Sequence, residues 1–384
     1  MKFKNLILIT TYWLLITSSA FAQESTFDYG VSIGLVKFDS ASMGLFSWRP
    51  NLEFGPLTLS LDVNLPLGDQ RPSQFESAVV RYADLTTEIF GIRYGILEDI
   101  TFGYGLLLND YSTTIKGGIT LNNRQVGLRT YYKGDLISSE ILGTWSGLYG
   151  IRLTERIYFF TFGQAYLVDT DGVAILKTDG TFKNFPPQSG YSLDVGVPIL
   201  PGTELYAEMA HLNNHGSGYS AGFKLGSDLY FLKTSFKIER RFIESNFVPG
   251  YFNAQYEIDP VDLNSAEATG EKKDGYLAEL LASTFGIGRL GIIYENYNGS
   301  NPALSGDAFL DLGFPWFVSI FLRQPNFKDF RSLTVEEGAV LGGDLGYRIN
   351  PYTNFTIHYK KAYDPALGKV IEGATYAVLL FLKF

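Results

Sequence analysis

The segment LTLSLDVNL, residues 57–65, alternates between apolar and polar side chains at every position. Its odd positions are leucine or valine, and its even positions are Thr58, Ser60, Asp62 and Asn64. Successive side chains of a β-strand point to opposite faces of the sheet. The segment therefore predicts a strand with one apolar face and one polar face.

The same two-residue period recurs along most of the chain, whereas helical spacing is not sustained anywhere after the first 22 residues. Strand-like alternation appears in YSLDVGV (191–197), YSAGFKL (219–225), LYFLKTSFKIER (229–240), RLGIIYEN (289–296), WFVSIFLR (316–323) and NFTIHYKK (354–361). This pattern predicts an all-β protein.

The N-terminus has the pattern of an export signal. Lys2 and Lys4 precede an apolar run from Leu6 to Ile16, and the small-residue pattern Ala20-Phe21-Ala22 follows it. The run is shorter than the roughly 20 residues that a spanning helix needs. We therefore expect residues 1–22 to be a cleaved signal peptide and residues 23–384 to form a single domain.

Composition narrows the classes of partner and of site. Without Lys2 and Lys4, the 31 basic side chains become 29 against 40 acidic ones, a formal net charge of −11, which argues against a nucleic-acid partner. The absence of cysteine excludes disulfides and thiolate metal sites. The 25 tyrosines and 30 phenylalanines suit a surface with an apolar side and a wet side, as at a membrane interface.

Short and long connections between the strands alternate. The predicted short turns are LTER (153–156), LPGT (200–203), GSD (226–228), FGIG (285–288), GFPW (313–316) and INPY (349–352), and the predicted long loops are 66–84, 108–122, 169–188, 242–274 and 325–337. Such segregation is typical of outer-membrane barrels. The sequence thus predicts a transmembrane antiparallel up-and-down β-barrel of about 20 strands, or 18 if the weak strands near 43–54 and 146–153 do not form.

The chain stops on TYAVLLFLKF, residues 375–384, where every second residue forms one apolar row: Tyr376, Val378, Leu380, Leu382 and Phe384. With the signal peptide, the alternating strands and the loop asymmetry, this ending resembles the bacterial outer-membrane β-barrel proteins, of no particular family. The resemblance implies that the terminal row is read by the barrel-assembly machinery, and that the protein contacts outer-membrane lipid and lipopolysaccharide.

The resemblance favours a porin-like channel that passes small polar solutes by diffusion, without a cofactor or covalent chemistry. Members of this class differ in function, so the fold alone does not decide. The alternative is a structural or adhesion barrel with a closed lumen, whose external loops bind a partner.

Alternation assigns charged residues to the inward face, because a charge facing hydrocarbon costs about 2 to 4 kcal/mol at mid-depth. The basic candidates are Arg93, Arg129, Arg152, Lys224, Lys233, Lys237, Arg289, Arg323, Arg348 and Lys360, and the acidic candidates are Asp62, Asp194, Glu204, Glu208, Glu239, Glu279, Glu295, Asp307, Asp311 and Asp344. They either form cross-strand ion pairs that stiffen the wall or contact a solute.

Alternation also places Phe236, Ile238, Leu310, Ile320 and Ile357 on the lipid face. Inward glycines, such as Gly103 and Gly105, Gly342 and Gly346, and Gly30 and Gly34, either ease wall curvature or make room for a loop folded into the lumen; curvature is the simpler interpretation. The 242–274 loop carries Glu257, Asp259, Asp262, Glu267, Glu271 and Asp274. We expect it to be external and solvated, with weak divalent-cation binding as the alternative.

Three motifs match known patterns without their structural context. GIGRLG (Gly286, Gly288, Gly291) lacks the helix of a dinucleotide site. GYSAG around Ser220 lies in a strand rather than at a nucleophile elbow, although a lipolytic enzyme with His211 or His215 as base is an alternative. HLNNH lacks the carboxylate ligands of a zinc site. We therefore expect no enzyme activity and no metal site.

Overall fold

The computed structural model describes most of the chain after residue 24. The described ranges are 25–38, 41–67, 78–113, 126–176, 182–254, 256–257, 260–263, 271–284, 287–313, 315–329, 339–350, 353–364 and 369–383. The predicted signal peptide and Phe384 lie outside them. Within these ranges the protein is all-β, and no helix there is long and apolar enough to cross a membrane.

Twenty strands form one antiparallel sheet. They are β1 (Ser25–Phe38), β2 (Ala41–Phe54), β3 (Leu57–Leu67), β4 (Ala78–Thr86), β5 (Phe90–Gly95), β8 (Gly127–Lys133), β9 (Ile137–Thr144), β10 (Leu148–Ile157), β11 (Phe160–Asp169), β14 (Ser189–Leu200), β15 (Thr203–Leu212), β16 (Ser217–Leu229), β17 (Leu232–Ile243), β19 (Lys273–Thr284), β20 (Gly288–Tyr297), β21 (Ala303–Asp311), β22 (Trp316–Gln324), β23 (Val340–Asn350), β24 (Thr353–Asp364) and β25 (Lys369–Lys383). Five shorter strands lie outside this wall: β6 (Ile100–Phe102), β7 (Leu108–Tyr111), β12 (Val173–Leu176), β13 (Phe182–Phe185) and β18 (Phe252–Asn253).

Each wall strand pairs with the next one along the chain, and β25 pairs with β1 from Asp28↔Lys383 to Phe38↔Gly373. The sheet therefore has no free edge, which is the definition of a barrel. The predicted fold class and the larger strand count are confirmed. Both strands considered weak, β2 and β10, are present.

Connections differ between the two ends of the barrel, as predicted. At one end all nine connections have two to four residues. At the other end five connections have 10 to 31 residues: 68–77, 96–126, 170–188, 244–272 and 325–339. Both termini of the sheet lie at the short-turn end.

Two predicted turns are wrong in position. LTER (153–156) lies inside β10, whose turn is Tyr158-Phe159, and GSD (226–228) lies inside β16, whose turn is Tyr230-Phe231. Both strands extend to the end of the barrel, where polar side chains are solvated on either face and so resemble turn sequences. The real turns are two-residue hairpin turns, and Tyr158 adopts a left-handed φ of 55° there.

The two faces of the wall agree with the predicted alternation where side chains are described. Phe236, Ile238, Leu310 and Ile320 are exposed on the outer face, whereas Lys237 between the first two is buried on the inner face. Ile357 alternates with His358, which faces inward towards Asp344. Asp311 and Arg323 share the inner face with Ser319 by the pairing register of β21 and β22.

Two long connections fold back into the barrel, which the sequence analysis gives only as the less simple interpretation of the inward glycines. We name residues 96–113 insert 1 and residues 244–263 insert 2. Strands β6 and β7 of insert 1 form a small sheet with β18 of insert 2. Their apolar side chains pack into a core with inward-facing residues of the wall and with two residues of the 170–188 connection, Val173 and Phe185. The remaining members are Leu97, Ile100, Phe102, Leu106, Leu107, Leu108, Tyr111, Leu142, Leu148, Ala165, Leu167, Ala210, Leu212, Ile243, Phe247, Tyr251, Phe252, Tyr256 and Leu263.

Inward glycines of the wall make room for these inserts. A Cβ atom at Gly190 would lie 3.0 Å from Leu107, one at Gly127 would lie 2.7 Å from Leu97, and one at Gly218 would overlap the ring of Phe247. Close approach, rather than curvature, is the reason for a missing side chain at these positions.

The glycines named from the sequence have other roles. Gly103 and Gly105 are not in the wall, because they form the tip of insert 1 with left-handed φ values of 65° and 94°. In β23, a Cβ at Gly342 or Gly346 would overlap the ring of Phe321 or Phe317 on β22. The curvature interpretation is therefore wrong for these four positions, where glycine allows a tight turn or admits an aromatic ring.

We expect Gly346→Ala to lower the free energy of unfolding by about 1 to 3 kcal/mol, because the new methyl group must displace the Phe317 ring. In the Phe317→Ala background the same change should cost less than half as much. Equilibrium urea unfolding measures both. Gly226→Ala is the matched control, since its Cβ would meet no atom closer than 3.7 Å; an equal loss there would contradict this explanation.

Candidate functional site

The interior of the barrel has two unlike halves. Along β9, β10, β11, β15 and β17 the inner face is covered by the inserts. Along β20 to β24 the inner face keeps charged side chains that water reaches, with Arg289 68% and Asp307 47% exposed in an ion pair of 2.9 Å. We name the first half the packed half and the second the open wall.

The tip of insert 1, residues 102–106, is held against the packed half by the side chains of Glu208 and Lys237. The Glu208 carboxylate accepts hydrogen bonds from the backbone N–H groups of Tyr104 (3.1 Å) and Leu106 (3.0 Å). Lys237 donates to the Tyr104 carbonyl oxygen at 2.6 Å. These three hydrogen bonds fix the tip at the depth of these side chains.

Stacking of two tyrosine rings and a close contact at Gly103 also hold the tip in place. Tyr104 stacks on Tyr206, with ring centroids 3.8 Å apart and planes 11° apart. A Cβ at Gly103 would overlap Glu208, so the tip requires glycine there. Burial, together with the charge of Glu204, raises the pKa of Tyr104 far above its usual range, and its phenol stays neutral.

Behind the tip lies a network of buried charges. Glu239 accepts hydrogen bonds from Tyr206 (2.6 Å) and Arg241 (2.5 Å), and Arg152 binds Asp194 through two hydrogen bonds of 2.8 and 3.0 Å. Buried charges are stable only when they are paired and hydrogen-bonded. The sequence left open whether such charges pair with each other or contact a solute, and in this network they pair with each other.

Insert 2 holds insert 1 from the other side. Its Gly250 N–H donates to the Leu106 carbonyl oxygen at 2.8 Å, and Glu257 accepts hydrogen bonds from the hydroxyls of Tyr111 and Ser146, the second at 2.9 Å. Tyr256 donates to Asp169 at 2.5 Å. Burial raises the pKa of Glu257 above its ordinary value of 4.5.

The expectation of a solvated acidic loop is therefore wrong for Glu257. Asp274 pairs with Arg240 at the edge of β19, and Glu271 is exposed. Asp259 and Glu267 lie outside the described residues. Among the residues that the structure describes, no three metal-ligating side chains cluster.

The open wall combines paired charges with aromatic rings. Arg348 donates two hydrogen bonds to Asp311, at 2.8 and 2.6 Å. Asp344 accepts from Ser319 at 2.5 Å and lies 2.6 Å from the Nδ1 atom of His358. The rings of Phe309, Phe317 and Phe321 share this inner face and are half-buried.

The remaining predicted site residues are spread around the interior. Arg93 lies over the Tyr82 ring at 4.7 Å, Arg129 pairs with Glu140 at 2.7 Å, and Asp62 is buried. Lys224 and Glu279 face Lys237 from either side in the strand register. Lys233 pairs with Asp228 at the short-turn end, and the side chain of Lys360 is outside the description.

Sequence reasoning missed Tyr104, Tyr206, Phe317 and Phe321. For the last two a signal was present, since an aromatic ring on the polar face of WFVSIFLR lies opposite a glycine of VLGGDLGYR. For Tyr104 no local signal existed, because its partners are about a hundred residues away.

The rejected motifs have no catalytic geometry in the described part of the chain. Ser220 is buried in the middle of β16. His211 lies 3.0 Å from the hydroxyl of Ser217, a different serine, and His215 is in the turn after β15. Gly288 and Gly291 lie in β20 with no helix after it.

The terminal apolar row is described only in part. Tyr376 and Val378 of β25 are exposed on the outer face. The side chains of Leu380 and Leu382, and Phe384 as a whole, lie outside the description.

Comparison with known proteins gives likeness in overall architecture alone. No protein-family model and no curated protein matches the sequence. Among solved structures, the chain is similar to a BenF-like porin from Pseudomonas fluorescens Pf-5 (9% identity, TM-score 0.44, 94% of this chain and 98% of that one). It is also similar to OccK5 (OpdH) from Pseudomonas aeruginosa (11%, 0.42, 94% and 98%) and OccAB2 from Acinetobacter baumannii (12%, 0.40, 95% and 99%). Identity this low transfers neither a solute nor a site residue to this chain.

We expect Glu208→Ala to release the tip of insert 1. Losing a buried carboxylate that accepts two backbone hydrogen bonds should weaken local closure by about 2 to 3 kcal/mol. The amides of residues 103–106 should then exchange with deuterium roughly 50-fold faster, measured by mass spectrometry. Glu279→Ala, an inward carboxylate opposite Lys237 in the register, is the control; equal acceleration in both variants would mean that Glu208 is not the anchor.

The Glu257 contact should make the anchoring of insert 2 depend on pH. Because the pKa is raised on folding, the anchored state binds the proton more tightly than the released state. Anchoring is fully present below pH 4.5 and weakens as the pH rises through the raised pKa. The rate of proteolysis within insert 2, divided by that of Glu257→Gln at each pH, should rise with pH. A flat ratio would show that Glu257 does not control this loop.

Proposed function

We propose that the protein is an outer-membrane channel through which small polar solutes diffuse passively. The observation that carries this proposal is the open wall: a closed barrel whose outer face is apolar retains water-accessible charges, such as Arg289 and Asp307, on its inner face. A barrel core that only supported the fold would bury or omit these charges.

The outer face supports a lipid environment. Large apolar residues there are 37 to 52% exposed, as for Phe236, Leu310 and Ile320, and they occur on strand after strand. Soluble monomers rarely expose apolar patches of more than a few hundred Å². On the same strands Lys237, Asp311 and Arg323 point inward, as the rule for lipid-facing barrel walls requires.

Export and orientation follow from the sequence and the connections. Residues 1–22 act as a cleaved signal peptide, which directs the chain out of the cytoplasm. The short-turn end faces the periplasm and the long-loop end faces outward, where lipopolysaccharide is the neighbouring lipid. No cofactor or covalent step is part of this function.

The inserts provide the sieve. They fill the packed half of the barrel, so solutes pass along the open wall. The lumen is therefore narrower than a 20-stranded wall alone would give. Glu208 and Lys237 fix the depth of the tip, and thereby the width of the constriction beside it.

The last strand carries the assembly role. β25 closes the barrel by pairing with β1, so it must be positioned before the sheet loses its free edges. The apolar row of Tyr376, Val378, Leu380, Leu382 and Phe384 is the signal for the assembly machinery.

Single-channel recording in a planar bilayer tests the proposal, because an open lumen gives discrete current steps. The chain has no cysteine, so a polar thiol reagent can be directed to one position. At Ser319→Cys, on the inner face, a bulky cationic reagent should lower the conductance by about half or more, because inward residues line the path. At Ile320→Cys, on the outer face, it should have no effect.

Absence of current steps from correctly folded protein would instead identify the closed-lumen structural or adhesion barrel. Equal block at Ser319→Cys and Ile320→Cys would contradict the assignment of the faces. Heat-modifiable migration in gels shows that each variant has folded.

A further inference from the structure

Three phenylalanine rings line the open wall at different heights. Phe309 and Phe317 lie on neighbouring strands with ring centroids 6.3 Å apart. Phe321 is four residues beyond Phe317 on β22, or roughly 13 Å along the strand. Together the rings form a ladder that runs along the barrel axis, and we name it the ring ladder.

The rings lie along the wall rather than across the lumen. Phe317 covers Gly346 and Phe321 covers Gly342, since a Cβ atom at either glycine would overlap the ring tip. Each ring therefore leans over the neighbouring strand β23 and is held there by a missing side chain. The rings remain half-buried, so part of each is accessible from the lumen.

Each ring has a polar group beside it whose charge is already matched. The Arg348 guanidinium lies 5.3 Å from the centre of Phe317 and makes two hydrogen bonds to Asp311. The His358 ring stacks on Phe321 at 6.3 Å and 22°.

Two other carboxylates of the open wall, Asp344 and Asp307, are also paired. Asp344 interacts with both His358 and Ser319. Arg289 is opposite Phe309 in the register and pairs with Asp307. Each of these two arginine charges is cancelled by a carboxylate within 3 Å, so neither adds an unmatched positive charge beside the ring ladder.

We infer that the ring ladder and the paired side chains beside it form the solute path. This path favours uncharged ring-shaped solutes with a flat apolar face and a hydrogen-bonding edge. The inference rests on the proposed channel function. A flat apolar face can stack on the ring ladder, while the paired side chains offer donors and acceptors to the edge. Selection for anions would need an unmatched cation in this path, and Arg289 and Arg348 are both matched.

Phenyl β-glucoside is the probe, because it is neutral and has a flat ring and hydroxyl groups. Added to single channels of the full-length protein at millimolar concentration, it should interrupt the current. Mannitol, which is neutral and rich in hydroxyl groups but has no ring, and benzoate, which is aromatic but anionic, should interrupt it at least tenfold less often. The reversal potential in a salt gradient should show no preference for chloride over potassium.

Phe317→Leu/Phe321→Leu keeps the apolar volume and removes the flat rings, so it should weaken the phenyl glucoside interruption at least tenfold. Phe236→Leu, the same change on the outer face, should leave it unaltered. Asp307→Asn/Asp311→Asn should leave Arg289 and Arg348 unmatched and shift the reversal potential towards chloride.

The outcomes distinguish failure of the proposed function from failure of this inference alone. Absence of current steps from folded wild-type protein overturns the proposed function and this inference with it. Current steps with unchanged interruption in the Phe317→Leu/Phe321→Leu variant, stronger interruption by benzoate, or chloride preference in the wild type overturn the inference alone.

Discussion

Closure of the sheet is the constraint on which the rest of the structure depends. Every wall strand presents a row of backbone N–H and C=O groups on each edge, and these groups find partners throughout only because β25 pairs with β1. In lipid, an unpaired edge would cost several kcal/mol for each exposed group, since no water is present to replace the missing partner. The wall must therefore form as a ring or not at all.

In a closed ring every strand has one face on the outside and one on the inside. Apolar and polar side chains therefore alternate along the sequence. One face of each strand can be largely apolar, as Phe236 and Ile238 show, while Lys237 between them points inward. A 20-stranded ring encloses more space than its own side chains fill. The inward face therefore needs either water or inserted chain, and this protein has both, on opposite halves.

The sequence was sufficient for the strands, their faces and the asymmetry of the connections, because these depend on local alternation and loop length. It was not sufficient for the inserts. Residues 100–111 alternate much like a wall strand, and their membership of a separate small sheet depends on pairing Leu108 with Phe252, far away in the chain. The anchor by Glu208 likewise joins residues about a hundred positions apart. Such pairings leave no local trace, and the alternation alone therefore wrongly places the glycines of the tip in the wall.

A single sequence predicts that these charges point inward, but it does not reveal which residues they pair with. The same residue types serve two purposes according to what covers them. Beneath the inserts, Glu239 and Arg241 are buried and must satisfy each other, since an unpaired charge there would be strongly destabilising. On the open wall, Arg289 and Asp307 are solvated, so their attraction adds little to stability. The pair therefore affects the electrostatic potential of the barrel interior beside it more than it affects the stability of the wall.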